Sequence, residues 1–217
     1  MNMRTSAYIL LTQLSILMIC SSVGFSIDKF SGGLKVGIGF SHLQPENLYE
    51  LARKYPLSAS FGFFSEFEVS KDFSIVSEIV FKRSLHESTF VNGEGGILET
   101  KLASTSLYFP ISIKYLTSSK YIPYFLFGFG LNLPLKSEFE LYDRVYNVGD
   151  SGDLTSQLPK FESSISLGIG KDIYINPFSI LIEVRYIIGI TDNTNTKFYF
   201  PSKWRHKNLE FLFGVKF

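Results

Sequence analysis

Beyond residue 30 the chain alternates apolar and polar positions with a period of two. Leu34, Val36, Ile38 and Phe40 fall on one side, with Lys35, Gly37, Gly39 and Ser41 on the other. Ala59, Phe61, Phe63, Phe67 and Val69 oppose Ser60, Gly62, Glu66 and Glu68; Phe73, Ile75, Ile79 and Phe81 oppose Ser74, Glu78 and Lys82. The pattern returns at 106–115, where Leu107, Phe109, Ile111, Ile113 and Tyr115 oppose Ser106, Ser112 and Lys114, and at 125–132, where Phe125, Phe127, Phe129 and Leu131 oppose Gly128, Gly130 and Asn132. It recurs at 161–170, 178–189 and 208–217. A helical stripe would repeat near about 3.6 residues, so these eight segments predict strands.

The connections alternate in length as well. Long ones run near 42–57, 85–100, 134–160 and 191–206; short ones sit at 70–72, 118–120 and 172–176. Transmembrane barrels join their strands by short periplasmic turns and longer extracellular loops. With both chain ends in the periplasm, the first, third, fifth and seventh connections are external, and those are the four long ones. The predicted fold is therefore all-β: an eight-stranded antiparallel up-and-down transmembrane β-barrel over residues 25–217. Pro123 falls at a strand start; Pro110 falls inside a strand and is read as a bulge, because proline lacks a ladder donor.

Residues 1–24 read as a cleaved secretory signal: Arg4, an apolar run from Ala7 to Ile19, then small residues at Ser22-Val23-Gly24, with the cut after Gly24 or Ser26. The alternatives are a membrane anchor, for which the run is short, and a lipidated Cys20, for which Ile19 is a poor neighbour. Cys20 is the single cysteine, so a chain cut at this signal has no disulfide and no thiolate metal site. Aromatic residues make up 16% of the chain and charged residues 19%, a balance that suits lipid-facing strands better than a soluble surface. The net charge of +1 argues against a nucleic-acid partner.

Alternation alone does not say which face points outward. A secreted lipocalin-like carrier has the same period with its apolar face inside. Three features favour apolar-out. The polar face carries balanced charge, with Lys35, Lys82, Lys114, Arg185 and Lys216 against Glu66, Glu68, Glu78, Glu183 and Glu210. An eight-stranded interior is just wide enough to fill with side chains, so these residues are candidates for a lumen charge network that closes any pore. The opposite face is almost wholly Phe, Ile, Leu and Val. Aromatics also gather at strand ends: Tyr115, Tyr121, Tyr174 and Phe178 at the short-turn side, and Tyr199, Phe200 and Trp204 at the long-loop side. The last strand, with Phe211, Phe213, Val215 and terminal Phe217, reads as a signal for the barrel assembly machinery.

The order of motifs resembles the PorT-family outer-membrane barrels of Bacteroidota. Gly33-Leu34-Lys35-Val36-Gly37-Ile38-Gly39-Phe40-Ser41 is similar to their opening strand, with Gly39 where the family often has Asn. The hairpin from Phe61 to Lys82, Tyr108-Phe109-Pro110-Ile111 with Lys114-Tyr115, Pro123-Tyr124 with Gly128 and Gly130, and Ile182-Glu183-Val184-Arg185-Tyr186 with Gly189-Ile190-Thr191 follow in the family's order. The resemblance implies the fold and the cell outer membrane. It implies function only broadly, since some members are tied to protein secretion.

Little else points to chemistry. His42, His86 and His206 fall in or beside proposed external loops, and His86-Glu87-Ser88 has the residue types of a hydrolytic triad. Adjacent strand residues point to opposite sides, so a solvated loop is the reading preferred. Asp150-Ser151-Gly152-Asp153 lacks a full calcium repeat, and Gly93-Glu94-Gly95-Gly96 opens no helix. No catalytic residue, cofactor or metal site is expected. The expected partners are outer-membrane lipid, the barrel assembly machinery during biogenesis and an envelope protein held by the extracellular loops. The expected role is structural, anchoring or binding, with assistance to secretion as one form of it; a lipid A-modifying enzyme is the competing class.

Overall fold

The computed structural model describes residues 29–45, 50–53, 56–91, 97–117, 123–144, 146–156, 158–191 and 204–217. The proposed signal segment 1–24, the turn at 118–120, Tyr121, Tyr199 and Phe200 lie outside the described residues. Of Trp204 and His42 only the backbone is described.

Among the described residues ten strands form: β1 (Phe30–Pro45), β2 (Glu50–Arg53), β3 (Leu57–Glu68), β4 (Phe73–Val91), β5 (Ile97–Tyr115), β6 (Tyr124–Asp143), β7 (Val148–Asp153), β8 (Glu162–Ile175), β9 (Phe178–Gly189) and β10 (Trp204–Lys216). From residue 31 onward, eight of them close a ring in the order β1-β3-β4-β5-β6-β8-β9-β10, with β10 returning to β1. β2 and β7 stand outside it, pairing with β4 and β6. The eight predicted strands are thus the ring, and the two short ones are additions within the connections.

The alternation sorts side chains as the pleat requires. Outward-facing Val36, Ile38, Phe63, Phe127, Leu167 and Phe213 are exposed, while inward-facing Lys35, Glu78, Lys114, Glu183 and Arg185 are buried. In β10, Phe213 is 55% exposed and its neighbour Leu212 only 4%, so one residue separates the two faces. A soluble carrier with an apolar interior would show the reverse. The seam is complete to its end: Phe217 N donates to Gly32 O at 2.9 Å and Gly32 N to Phe217 O at 3.1 Å.

Three expectations need correction. First, the connections at 85–100 and 134–160 are largely strand. β4 and β5 have 19 residues each and β6 has 20, against the roughly 9–11 that cross a bilayer. About half of each protrudes, forming with β2 and β7 an external sheet. Second, Pro110 is no bulge. It is buried in register opposite Gly130, and the β4–β5 ladder breaks opposite Phe109 and Pro110, where proline offers no donor. Third, the register shift lies between Thr105 and Ser106, which pair with Lys136 and Pro134 and leave Leu135 as the extra residue. That bulge exchanges the faces of β6. Above it Ser137 and Phe139 are buried while Lys136, Glu138 and Glu140 are exposed; without it the three charges would point inward.

Candidate functional site

Along β4 the inward positions are Ser74, Val76, Glu78, Val80, Lys82, Ser84 and His86, and this one strand samples every layer of the lumen. Nearest the short turns, Lys114 and Lys216 share two acids. Lys114 Nζ donates to Glu66 at 3.1 Å and to Asp172 at 2.8 Å; Lys216 Nζ reaches the same groups at 3.3 and 2.8 Å. In the next layer Glu78 accepts from Lys35 Nζ at 3.0 Å and from Arg185 Nη2 at 2.8 Å. Glu183 accepts from Arg185 Nε at 2.7 Å, from Lys35 at 3.4 Å and from the Tyr124 hydroxyl at 3.2 Å. Farther out, Lys82 pairs with Glu210.

The structure therefore brings together Lys35, Glu66, Glu78, Lys82, Lys114, Glu183, Arg185, Glu210 and Lys216. Glu68 does not join them: it is exposed at the end of β3, where the strand leaves the barrel for the tight turn at 69–72. Asp172 takes part instead. Inward alternation through Gly168, Gly170 and Asp172 was the signal for it, masked by the turn-like composition of 172–176. This network holds five cations, Lys35, Lys82, Lys114, Arg185 and Lys216, against five anions, Glu66, Glu78, Asp172, Glu183 and Glu210. Charges taken out of water are tolerated only when paired and hydrogen-bonded in this way.

Rings fill what the ion pairs leave. Phe64 lies under Lys35 Nζ, 4.7 Å from ring centroid to nitrogen, and Tyr124 under Lys114 Nζ at 4.1 Å. Space for two tyrosines comes from glycines on the neighbouring strands. A Cβ on Gly130 would meet the Tyr108 ring at 2.3 Å, and one on Gly170 would meet the Tyr124 hydroxyl at 2.4 Å. Phe64, Val76, Tyr124, Leu126 and Leu181 form one apolar cluster, and Val80, Tyr108 and Ile187 another. Sequence reasoning placed none of these rings in the site.

At the outer end, His86 is buried rather than solvated, because its position on β4 faces the lumen. Its ring lies 5.0 Å from that of His206, centroid to centroid. His206 Nε2 is 3.5 Å from Glu162, which accepts from Asn132 Nδ2 at 2.9 Å. A cavity of about 50 Å³ remains among Lys82, Ser84, Tyr108, Glu162 and the two histidines, room for a water or two. Among the described residues no group of three or more His, Cys, Asp or Glu is placed to hold a metal ion.

The external sheet has its own small core. Leu102 and Phe139 are covered by Leu154 and Leu158 from the segment that returns to β8. That segment is held by Leu154 N donating to Ser137 O at 2.9 Å and Ser137 N donating to Thr155 Oγ1 at 2.9 Å. Bonds from the Thr155 side chain and backbone hold the Asp153 carboxyl below its ordinary pKa. The β6–β7 turn, with Asn147 at φ 53°, leaves Tyr142, Tyr146 and Val148 exposed at its tip.

Among known proteins, the family described as outer membrane protein beta-barrel domain matches residues 23–195. Solved structures similar to the chain include Ail, the attachment invasion locus protein of Yersinia pestis (13% identity, 87% of this chain and 99% of that one, TM-score 0.38). OprG from Pseudomonas aeruginosa shares 13% identity over 87% of this chain and 95% of its own, with a TM-score of 0.35. The outer membrane protease OmpT from Escherichia coli shares 10% over 90% and 98%, with a TM-score of 0.37. No curated protein matches the chain.

Proposed function

Because the chain belongs to the outer membrane protein beta-barrel domain family, and so is a barrel of the outer membrane, we propose that it serves there as a closed scaffold that conducts nothing and acts through its external sheet. One observation carries this reading. Among the described residues five lumen cations are held in ion pairs with five anions, interleaved with rings that pack against glycines of neighbouring strands. An aqueous path would have to separate pairs that are almost fully buried, at a cost of several kcal/mol each. The working surface is then what stands outside the membrane: the sheet of β2, β4, β5, β6 and β7 with Tyr142 and Tyr146 exposed at one tip. Planar-bilayer recordings of the purified protein are expected to show no stable conductance. Reproducible channels of uniform size would overturn the proposal.

The partner on that surface is an envelope protein, in keeping with the resemblance of the strand motifs to PorT-type barrels and the secretion role of some of them. Co-purification after mild crosslinking in native envelopes identifies it. The role is non-enzymatic: His86 and His206 lie at the lumen's outer end, not on the outward face that meets lipid. Identical lipid A mass spectra from cells with and without the protein are the expected outcome, and a changed acyl or phosphate pattern would favour the enzyme.

A further inference from the structure

Along β4, β5 and β6 the outward face of the wall gains its first charges in a single row of residues. Phe61, Phe81, Leu107 and Leu133 pair in sequence across β3, β4, β5 and β6. They continue the apolar band that begins at Phe73 and Tyr115. The next outward row toward the external sheet is Ala59, Arg83, Thr105 and Lys136, again paired strand to strand. Arg83 is exposed, and the Lys136 side chain is 62% exposed. Lys136 is outward only because the bulge at Leu135 exchanges the faces of β6.

We propose that Arg83 and Lys136, flanking Thr105 at the outer margin of the apolar wall, form a binding site for a phosphate group carried by a lipid of the outer leaflet. The long-strand end faces outward, since the short turns of such barrels are periplasmic. Acyl chains against Phe81, Leu107 and Leu133 bring a headgroup level with the next row. The two cations stand two strands apart, about 10 Å between backbones, a span that their side chains close around a phosphate while the Thr105 hydroxyl lies between them. Arginine offers the forked donor set that matches phosphate oxygens. Lys136 also pairs with Glu138 at 2.6 Å, and Glu138 is 56% exposed, so the acid competes for the site but is easily drawn away in water. Beyond this row the outward residues are Leu85, Ala103 and Glu138, then Glu87, Lys101 and Glu140, so the two neighbouring cations are confined to the membrane margin.

The test uses the full folded barrel in detergent micelles, with bis-phosphorylated lipid A, dephosphorylated lipid A and inorganic phosphate as separate probes in native mass spectrometry. Phosphorylated lipid A is expected to bind at least about tenfold more tightly than the dephosphorylated form, and R83Q/K136Q to lose that preference. E138Q is expected to tighten binding by releasing Lys136, and K101Q, two rows farther out, to leave it unchanged. Inorganic phosphate at equal concentration is expected to bind negligibly. Wild-type affinity in R83Q/K136Q, equal binding of dephosphorylated lipid A, or equal binding of inorganic phosphate would each overturn the proposal. Heat-modifiable migration of each variant confirms that it is folded. The closed-lumen reading stands or falls separately, on the bilayer recordings.

Discussion

Ion pairs of the same chemistry occur in the lumen and on the external sheet, and their surroundings give them opposite weight. Arg185 with Glu78 and Glu183 is buried to within a few per cent, and each acid is shared between two cations. Arg144 with Glu99, on β5 and just past β6, has a side chain that is 59% exposed. In water either half of the outer pair is solvated as well alone as together. In the lumen a charge that loses a partner has no bulk water to replace it, so the shared pairs act as one unit that fixes the position of several strands at once. Distance and residue type are nearly the same in the two places; what differs is the cost of being unpaired.

The largest effect is expected in the lumen. Arg185→Met leaves Glu78 and Glu183 facing each other with Lys35 alone between them, and a loss of about 3–5 kcal/mol is expected. It is read as a fall in the urea midpoint of the detergent-folded barrel. Exchange of a pair sharpens the comparison: K82E and E210K should each destabilise strongly, and the double variant should recover much of the loss. A double variant no better than the worse single one would show that the site requires more than paired charge.

A charge placed on the lipid side probes a third environment. Phe213→Arg is expected to cost about 2–4 kcal/mol and to impair membrane assembly. Leu212→Gln, one residue away and facing the polar lumen, should be better tolerated. Reversal of that order would mean that the two faces have been exchanged. The smallest effect belongs to the outer sheet, where Arg144→Gln is expected to leave the urea midpoint unchanged within error. A clear loss there would erase the contrast between the regions.

Much of the barrel was legible because lipid demands an uninterrupted apolar face. Val36, Phe63, Phe127 and Phe213 announce the wall, and the charges between them announce the lumen. The external sheet was not legible, since no solvent-facing strand needs an apolar stripe. Leu85-His86-Glu87 on β4 reads as a loop although it is paired throughout. The bulge at Leu135 hid β6 further by reversing its alternation midway. In the lumen, the charges stood out, but Tyr108 and Tyr124 did not. Their place depends on glycines of neighbouring strands, a match that appears only once Gly130 and Gly170 are set opposite them. Glu68 shows the converse error: correct alternation carried one step past the end of the wall.

The seam between β1 and β10 joins Leu34 to Val215, so closing the ring links the most distant parts of the barrel's sequence. Every other ring neighbour is joined by a single intervening connection. Closing a loop of this size carries an entropic cost that no hairpin can offset in advance. Until β10 arrives, β1 and β9 both present open backbone edges, which hydrocarbon does not tolerate. A nascent chain arrested before Trp204 therefore has no partial version of this fold to occupy in the bilayer. Insertion and ring closure become one event, and a shortened chain is expected to remain a substrate for periplasmic proteolysis.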